Sequence, residues 1–548
     1  MSKINIFSLG GLNENGKNMY VVEVDKDIFV FDAGLKYADE NMLGIDYIIP
    51  NFDYLKENEK RIKGLFLTHG HDENVGAVSD IVRTLHNIKI YGSKFTVDIV
   101  RKELEEDRVS FDNLIEIKPH KTISIGKYNI FPINLTHSIP ENLGYALYTD
   151  DGVVFYASDF VFDSTMRGLY QTDIGKLAYL GKQGVLCLLT ESMYASVVGH
   201  TAPRHRISDL INKTLAKTDK RIIYNVLSSQ LYRIQELFDE VSKTNRKVVI
   251  IGKKLQNIIN QAIISKSLKV SKSLIGNLSN IDDENSVIVV SNERQKPYSN
   301  LMKIVRGVDK FITLKDTDTV FIAIPIFEGR EKTFYELANE ISAVGVNMVM
   351  MNPKVNLSHH ASSEDLMQMI DLLQPKYYFP VKGEYRYQVA NGELAEKVGV
   401  ASSNILLKQN GEVVSIVDGN LKPSTYKVNH GDILIDGRLS HDVGEIVLKD
   451  RELLSDNGIV VIATTVSKKT KKIVSGPEVL TRGFVYVRDN IDMIKEIKNI
   501  VSNVIIKNTN SNYIEYNKVK NSIREELSNY LYDKTGSKPM IISVIQEV

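Results

Sequence analysis

The 548-residue chain is poor in cysteine, in net charge and in long apolar runs. Its one cysteine, Cys187, stands in the run Val185-Leu186-Cys187-Leu188-Leu189. One thiol cannot form a disulfide within the chain, and a cysteine-based zinc site is excluded. That favours a reducing, cytoplasmic setting and makes Cys187 a small buried hydrophobe. Lys plus Arg and Asp plus Glu both count 68, so the net charge is zero. A globally basic nucleic-acid binder is not indicated, and RNA contact would need a local basic channel. The apolar runs, such as Val248 to Gly252 and Ile459 to Thr465, have strand length, far from the ~20 residues that span a bilayer. The start, Met1-Ser2-Lys3-Ile4-Asn5-Ile6, lacks the apolar core of a signal peptide. No membrane partner is expected.

What is present is ordinary globular material, 43% hydrophobic and 25% charged, enough for three or four folding units. The first 160 residues read as short strands with tight loops: Ile4 to Leu9, Met19 to Val24, Asp27 to Asp32, Leu65 to Thr68, Tyr128 to Asn134 and Val153 to Ala157. From about 203 to 345, helical spacing in Ile207 to Ala216, Leu231 to Ser242 and Leu255 to Ser265 alternates with strands at 221–224, 248–251, 287–290 and 320–323. This is the pattern of a parallel α/β domain. Ser362-Ser363-Glu364-Asp365 predicts a capping box for a helix that buries Leu366, Met369, Ile370 and Leu373 and stops at Pro375. From Asn429 the Gly- and Asp-rich chain reads as a connection. A small α+β domain then carries strands near Val460 and at Gly483 to Val487, helices Met493 to Ile506 and Tyr516 to Tyr532, and a last strand Met540 to Ile545.

The chemistry-bearing residues gather where strands end. His69 and His71 are two apart after a strand, so both imidazoles can point at one cation. His137, Asp159 and Asp32 also follow strands. Imidazole and carboxylate are the ligand types that zinc or manganese accept.

These segments resemble the metallo-β-lactamase superfamily, and within it the β-CASP nucleases of the ribonuclease J family. The resemblance rests on Gly10-Gly11 through Asn18-Met19, Asp32-Ala33-Gly34, Thr68-His69-Gly70-His71, His137-Ser138-Ile139-Pro140, Asp159-Phe160, Gly383-Glu384-Tyr385-Arg386, Thr481 to Arg488 and Lys538-Pro539-Met540-Ile541. It implies an αββα metallo-β-lactamase sandwich, split as 1–200 and 347–428 by a β-CASP domain at 201–346. A linker at 429–455 and an α+β domain at 456–548 follow. It also implies metal-dependent 5′-to-3′ exonuclease and sometimes endonuclease action on RNA, in rRNA maturation and mRNA turnover.

Carried over residue by residue, the resemblance makes His69, His71, His137 and Asp159 the ligands of one metal. Glu73 stands where the family has Asp, and Asn74 and Lys382 stand where it has His. A lengthened carboxylate, a neutral amide and an ammonium without a lone pair are poor ligands. At most one Zn or Mn ion is therefore expected, with Lys382 a fixed charge against Asp159 or Glu73. The resemblance also implies catalytic roles for Asp159, Glu191 and His360. It implies substrate contacts by Ser229, Gln230 and Leu231, and by Asn356, Leu357, Ser358, His359 and His360. The family's Ser-Gly-His is here Ser-His-His. The losses match a catalytically degenerate branch of the family whose members associate with an active paralogue. Expected partners are thus RNA and that paralogue, or a second copy through the C-terminal domain. The alternatives are a competent one-metal ribonuclease and a hydrolase of small esters or lactams. The inserted and C-terminal domains argue against the last.

Overall fold

The structure, a computed structural model, describes residues 2–39, 42–292, 296–326, 330–352, 359–437, 445–484, 490–510 and 513–548. Two sheets share one apolar core. The eight-stranded sheet runs in the order Asn420–Lys422, Val414–Val417, Lys3–Gly10, Met19–Val24, Asp27–Phe31, Ile62–Phe66, Ile90–Ser93, Leu114–Ile117. The six-stranded sheet runs Tyr377–Pro380, Val185–Thr190, Gly152–Ser158, Leu143–Thr149, Tyr128–Asn134, Ile123–Ile125. Between them pack Ile4, Tyr20, Phe29 and Phe66 from the first sheet and Tyr145, Tyr156, Cys187 and Phe379 from the second. Cys187 is fully buried in this core, and burial pushes its thiol well up, out of nucleophile range. The near-continuous apolar strands follow from burial on both faces. Helices Ile174–Gln183 and Ser363–Leu373 bury Leu177, Leu180, Leu366, Met369, Ile370 and Leu373 against the outside of the second sheet.

The second sheet records an insertion. Val185–Thr190 pairs in parallel with Tyr377–Pro380, although nearly two hundred residues separate them in sequence. The intervening chain forms a five-stranded sheet, Val248–Ile251, Val287–Asn292, Ile222–Leu227, Thr319–Ile322, Asn347–Met350, with every pair parallel. Apolar clusters cover both its faces. The predicted capping box forms at Ser362 and Asp365.

The chain divides into two compact units, Met1–Tyr37 with Ile48–Ile433, and Ala38–Tyr47 with Leu434–Val548. In the second, Ile459–Val466 lies between Ile473–Arg482, antiparallel, and Met540–Glu547, parallel. Helices Ile491–Lys507 and Tyr516–Thr535 cover one face with Ile497, Val501, Val504, Val519, Ile523, Leu527 and Leu531. Each such side chain contributes about 1.5–3 kcal/mol of burial. Two expectations need correction. The stretch 429–455 is not a bare connection: it holds the strand Asp432–Ile435 and most of the helix Glu445–Asn457, so its Gly and Asp residues delimit elements rather than exclude them. The strand expected at Gly483 to Val487 falls largely outside the described residues, and the observed one is Ile473–Arg482. Among the described residues no helix is long and apolar enough to cross a membrane.

Candidate metal centre

The strand Ile62–Phe66 ends in a loop that is fixed by a buried carboxylate. Asp32 accepts from the Thr68 backbone NH at 2.8 Å, the Thr68 hydroxyl at 3.0 Å, Tyr156 Oη at 2.8 Å and Asn74 Nδ2 at 2.7 Å. Burial pushes Asp32 up to about 7, and these donors pull the other way. Asp32, Ser158 and Lys382 all hold left-handed backbone, with φ of 60°, 56° and 51°. Strain of this kind costs of order 1–3 kcal/mol per residue and persists where surrounding structure over-determines it.

Each imidazole is oriented through its outer nitrogen. Thr68 gives its proton to Asp32, so its oxygen accepts from His69 Nδ1 at 3.0 Å. His71 Nε2 donates to the Ser229 carbonyl at 3.0 Å, and His137 Nδ1 to the His359 carbonyl at 2.6 Å. These bonds leave the lone pairs of His69 Nε2, His71 Nδ1 and His137 Nε2 facing one another. His71 Nδ1 lies 3.1 Å from His69 Nε2 and 3.2 Å from His137 Nε2. Asp159 Oδ2 lies 3.5 Å from His69 Nε2 and 3.7 Å from His137 Nε2. A tetrahedral zinc with bonds of 2.0–2.1 Å spans edges of roughly 3.3–3.4 Å between its ligand atoms. These four edges, 3.1–3.7 Å, bracket that spacing, and the four donors all lie within 4.8 Å of one another, as a single ion would need. Burial, with the neighbouring rings, holds His69 and His137 well below the usual histidine range, and burial lowers His71 also. Neutral imidazole is the form that binds a metal.

The other half is built differently. Lys382, 2% exposed, places its Nζ on Asp159 Oδ2 and 3.9 Å from Glu73 Oε1. Burial disfavours both charges, yet the contact wins: Asp159 is held well below the usual carboxylate range and Lys382 above the usual amine value. Asn74 turns to Asp32 and lies within 3.4–3.5 Å of Thr68, Ser158 and Asn18.

Glu191 and His360 come together. His360 Nδ1 is 2.7 Å from Glu191 Oε2, while Glu191 Oε1 accepts from the backbone of Phe160 and Ala361 at 2.9 and 3.1 Å. His360 Nδ1 is 3.9 Å from Asp159 Oδ1. Burial raises the Glu191 carboxyl against the pull of His360. Asp159, Glu191 and His360 form a second group of ligand-type atoms within 4.8 Å. His359 is 1% exposed, with its ring against His205 at 4.5 Å and Tyr232 at 5.6 Å.

Ser229 meets the site through its carbonyl, and Gln230 is buried where the helix Leu231–Val241 begins. Leu231 belongs to the apolar core of the inserted domain. Asn356, Leu357 and Ser358 lie outside the described residues. Thr68 stands within the Thr68-His69-Gly70-His71 motif, whereas Tyr156 and Ser158 carry no signal beyond their strand, and nothing in the sequence marks His205. A cleft of about 420 Å³ opens at His71 and Glu73, between Ser228, Ser229 and Lys254 of the inserted domain and the helix Lys94–Glu106.

Four family descriptions match the chain: Beta-lactamase superfamily domain over 29–175, Ribonuclease J beta-CASP domain over 219–341, Zn-dependent metallo-hydrolase RNA specificity domain over 345–405, and Ribonuclease J C-terminal domain over 446–548. Ribonuclease J 2 of Staphylococcus aureus (strain MRSA252) is 35% identical over all of this chain and 98% of its own. Ribonuclease J2 of Bacillus subtilis (strain 168) is 36% identical over all of this chain and 99% of its own. A crystal structure of a protein of unknown function from Enterococcus faecalis V583 shares the fold, with a TM-score of 0.53, 13% identity and coverage of 76% of this chain and 100% of that one. With the inserted sheet, the histidine cluster and relatives matched end to end, the chain belongs to the ribonuclease J family.

Proposed function

We propose that this chain is an RNA-processing protein with one metal site, low intrinsic hydrolytic activity and a supporting role beside an active paralogue in rRNA maturation and mRNA turnover. The domain limits proposed are 1–200 and 347–428 around 201–346, with the C-terminal domain extended back from 456–548 to take in the helix Glu445–Asn457. The observation that carries the reading is the Lys382 ammonium on Asp159 Oδ2, the oxygen that also faces His69 and His137. One divalent ion, Zn or Mn, fits between the three imidazoles and Asp159. The fixed ammonium takes the charge of a second.

A bound ion supplies Lewis acidity, which lowers the pKa of water and polarises a phosphate oxygen. Two-metal hydrolysis also clamps the leaving oxygen with a second ion. An ammonium can donate hydrogen bonds to that oxygen but cannot coordinate it. Glu191 fixes His360 through Nδ1, leaving Nε2 of that ring to meet a phosphate oxygen or give up a proton.

The partner reading is supported by the second unit. Its sheet exposes Val474, Leu480, Ile542 and Val544 opposite the two helices, a row suited to an apolar contact. The test is turnover of 5′-monophosphorylated RNA by the pure chain with Zn or Mn, with and without an active paralogue. Weak turnover alone and co-migration with the paralogue are expected. Robust turnover by the pure chain would establish instead a competent one-metal ribonuclease, a reading favoured by the contact between His360 and Glu191, which stands where the family usually has Asp.

A further inference from the structure

One hairpin of the second unit concentrates lysines, with Glu547 as the acid beside them. Strands Ile459–Val466 and Ile473–Arg482 are joined by Ser467-Lys468-Lys469-Thr470-Lys471-Lys472, four lysines in six residues with no acid. In a chain of zero net charge, such a run needs a reason. The turn is firmly held. Ser467 N donates to the Lys472 carbonyl and Lys471 N to the Ser467 carbonyl, both at 2.8 Å, and Lys468 N donates to the Val548 carbonyl at 2.7 Å. Thr470 N bonds Ser467 Oγ at 3.2 Å. Lys471 is drawn inward onto Glu547 at 2.5 Å. Lys468, Lys469 and Lys472 remain exposed, on a backbone that is already ordered. Because these bonds already fix the turn, little backbone entropy of this segment is lost when a polyanion binds.

The cleft at the metal centre has the opposite character. Its walls carry Asp72, Glu73, Asp98, Glu103, Glu105 and Glu106 against Arg101, Lys102 and Lys254. All three cations are already engaged: Arg101 with Asp98 at 2.8 Å, Lys102 with Glu105 at 3.5 Å and Lys254 with Asp72 at 3.8 Å. These wall residues thus present no surplus positive charge, whereas the hairpin does.

We propose that the Ser467–Lys472 hairpin tip is an RNA-docking site, gripping the phosphodiester backbone without regard to sequence. RNA as the polyanion rests on the ribonuclease J reading above. The tip has no aromatic or large aliphatic side chain to enter a bilayer, which favours RNA over a lipid surface.

The experiment uses the full chain and a 5′-labelled single-stranded RNA, with binding followed by anisotropy from 50 to 300 mM salt. Each phosphate contact contributes about 0.7 to the salt slope on a single strand, so K468A/K469A/K472A should lower the slope by about 2 and weaken binding at least about tenfold at low salt. The triple Lys→Arg variant should bind as the parent does. An unchanged slope and affinity in the alanine variant overturns the docking site and leaves the family reading intact. No RNA binding by the parent chain overturns both the docking site and the proposed RNA-processing role. Binding to anionic phosphatidylserine vesicles that depends on these lysines, with RNA binding unaffected by them, also overturns it.

Discussion

On one side of Asp159, three imidazoles aim unshared lone pairs at a common point, and each is held from behind by Thr68, Ser229 or His359. On the other side, an ammonium, a longer carboxylate and an amide are tied into ion pairs and hydrogen bonds. The first half is poised to gain from a cation. The second is satisfied without one. Three side chains from two segments far apart in sequence are thus engaged as structure: Lys382 neutralises the buried Asp159, Glu73 flanks it, and Asn74 completes the shell of Asp32.

The sharpest way to break that comparison is to remove the ammonium. Lys382→Met leaves a fully buried Asp159 without its partner, and the loss of one member of a buried pair costs about 3–5 kcal/mol. Denaturant unfolding in the presence of a chelator should show a loss of that size. A change under ~1 kcal/mol would mean that Lys382 does not hold the site together. A smaller effect is expected at Asn74. Its replacement by Ala deprives Asp32 of one of its donors, which costs about 1–3 kcal/mol. Titrated metal affinity should stay the same, whereas a parallel loss of metal would make Asn74 a ligand.

The smallest effect concerns the acidic cleft wall. Burial and then the Asp72 carboxylate push the half-buried Glu103 up to about 8, against about 4.3 in an unfolded chain. Between those values the folded protein binds a proton that the unfolded chain releases, so stability falls as pH rises through the window and levels off above it. Glu103→Gln should therefore raise the melting temperature relative to the parent at pH 9, with little difference near pH 4. Equal shifts at both pH values would dismiss the crowding of charge at the cleft.

Much of this could be read from the chain. Strand–helix alternation gave the parallel inserted sheet, and the i, i+2 histidines after a strand gave a converging pair. Sequence chemistry places Lys382 as a fixed charge against Asp159 or Glu73, and the structure puts it on Asp159 with Glu73 3.9 Å away. Less visible were the acceptors behind the histidines. Two are backbone carbonyls, of Ser229 and His359, and a carbonyl leaves no trace in residue identity. The inward turn of His359 onto His205 was also hidden, because only the fold brings those residues together. The helix Glu445–Asn457 was masked by the Gly and Asp residues that precede it.

The central claim is a count of ions, and metal analysis of the chain after equilibration with Zn or Mn tests it most directly. The account predicts one ion per chain, rising to two when Glu73→Asp, Asn74→His and Lys382→His are combined. Two ions in the unaltered chain, or none, would contradict it.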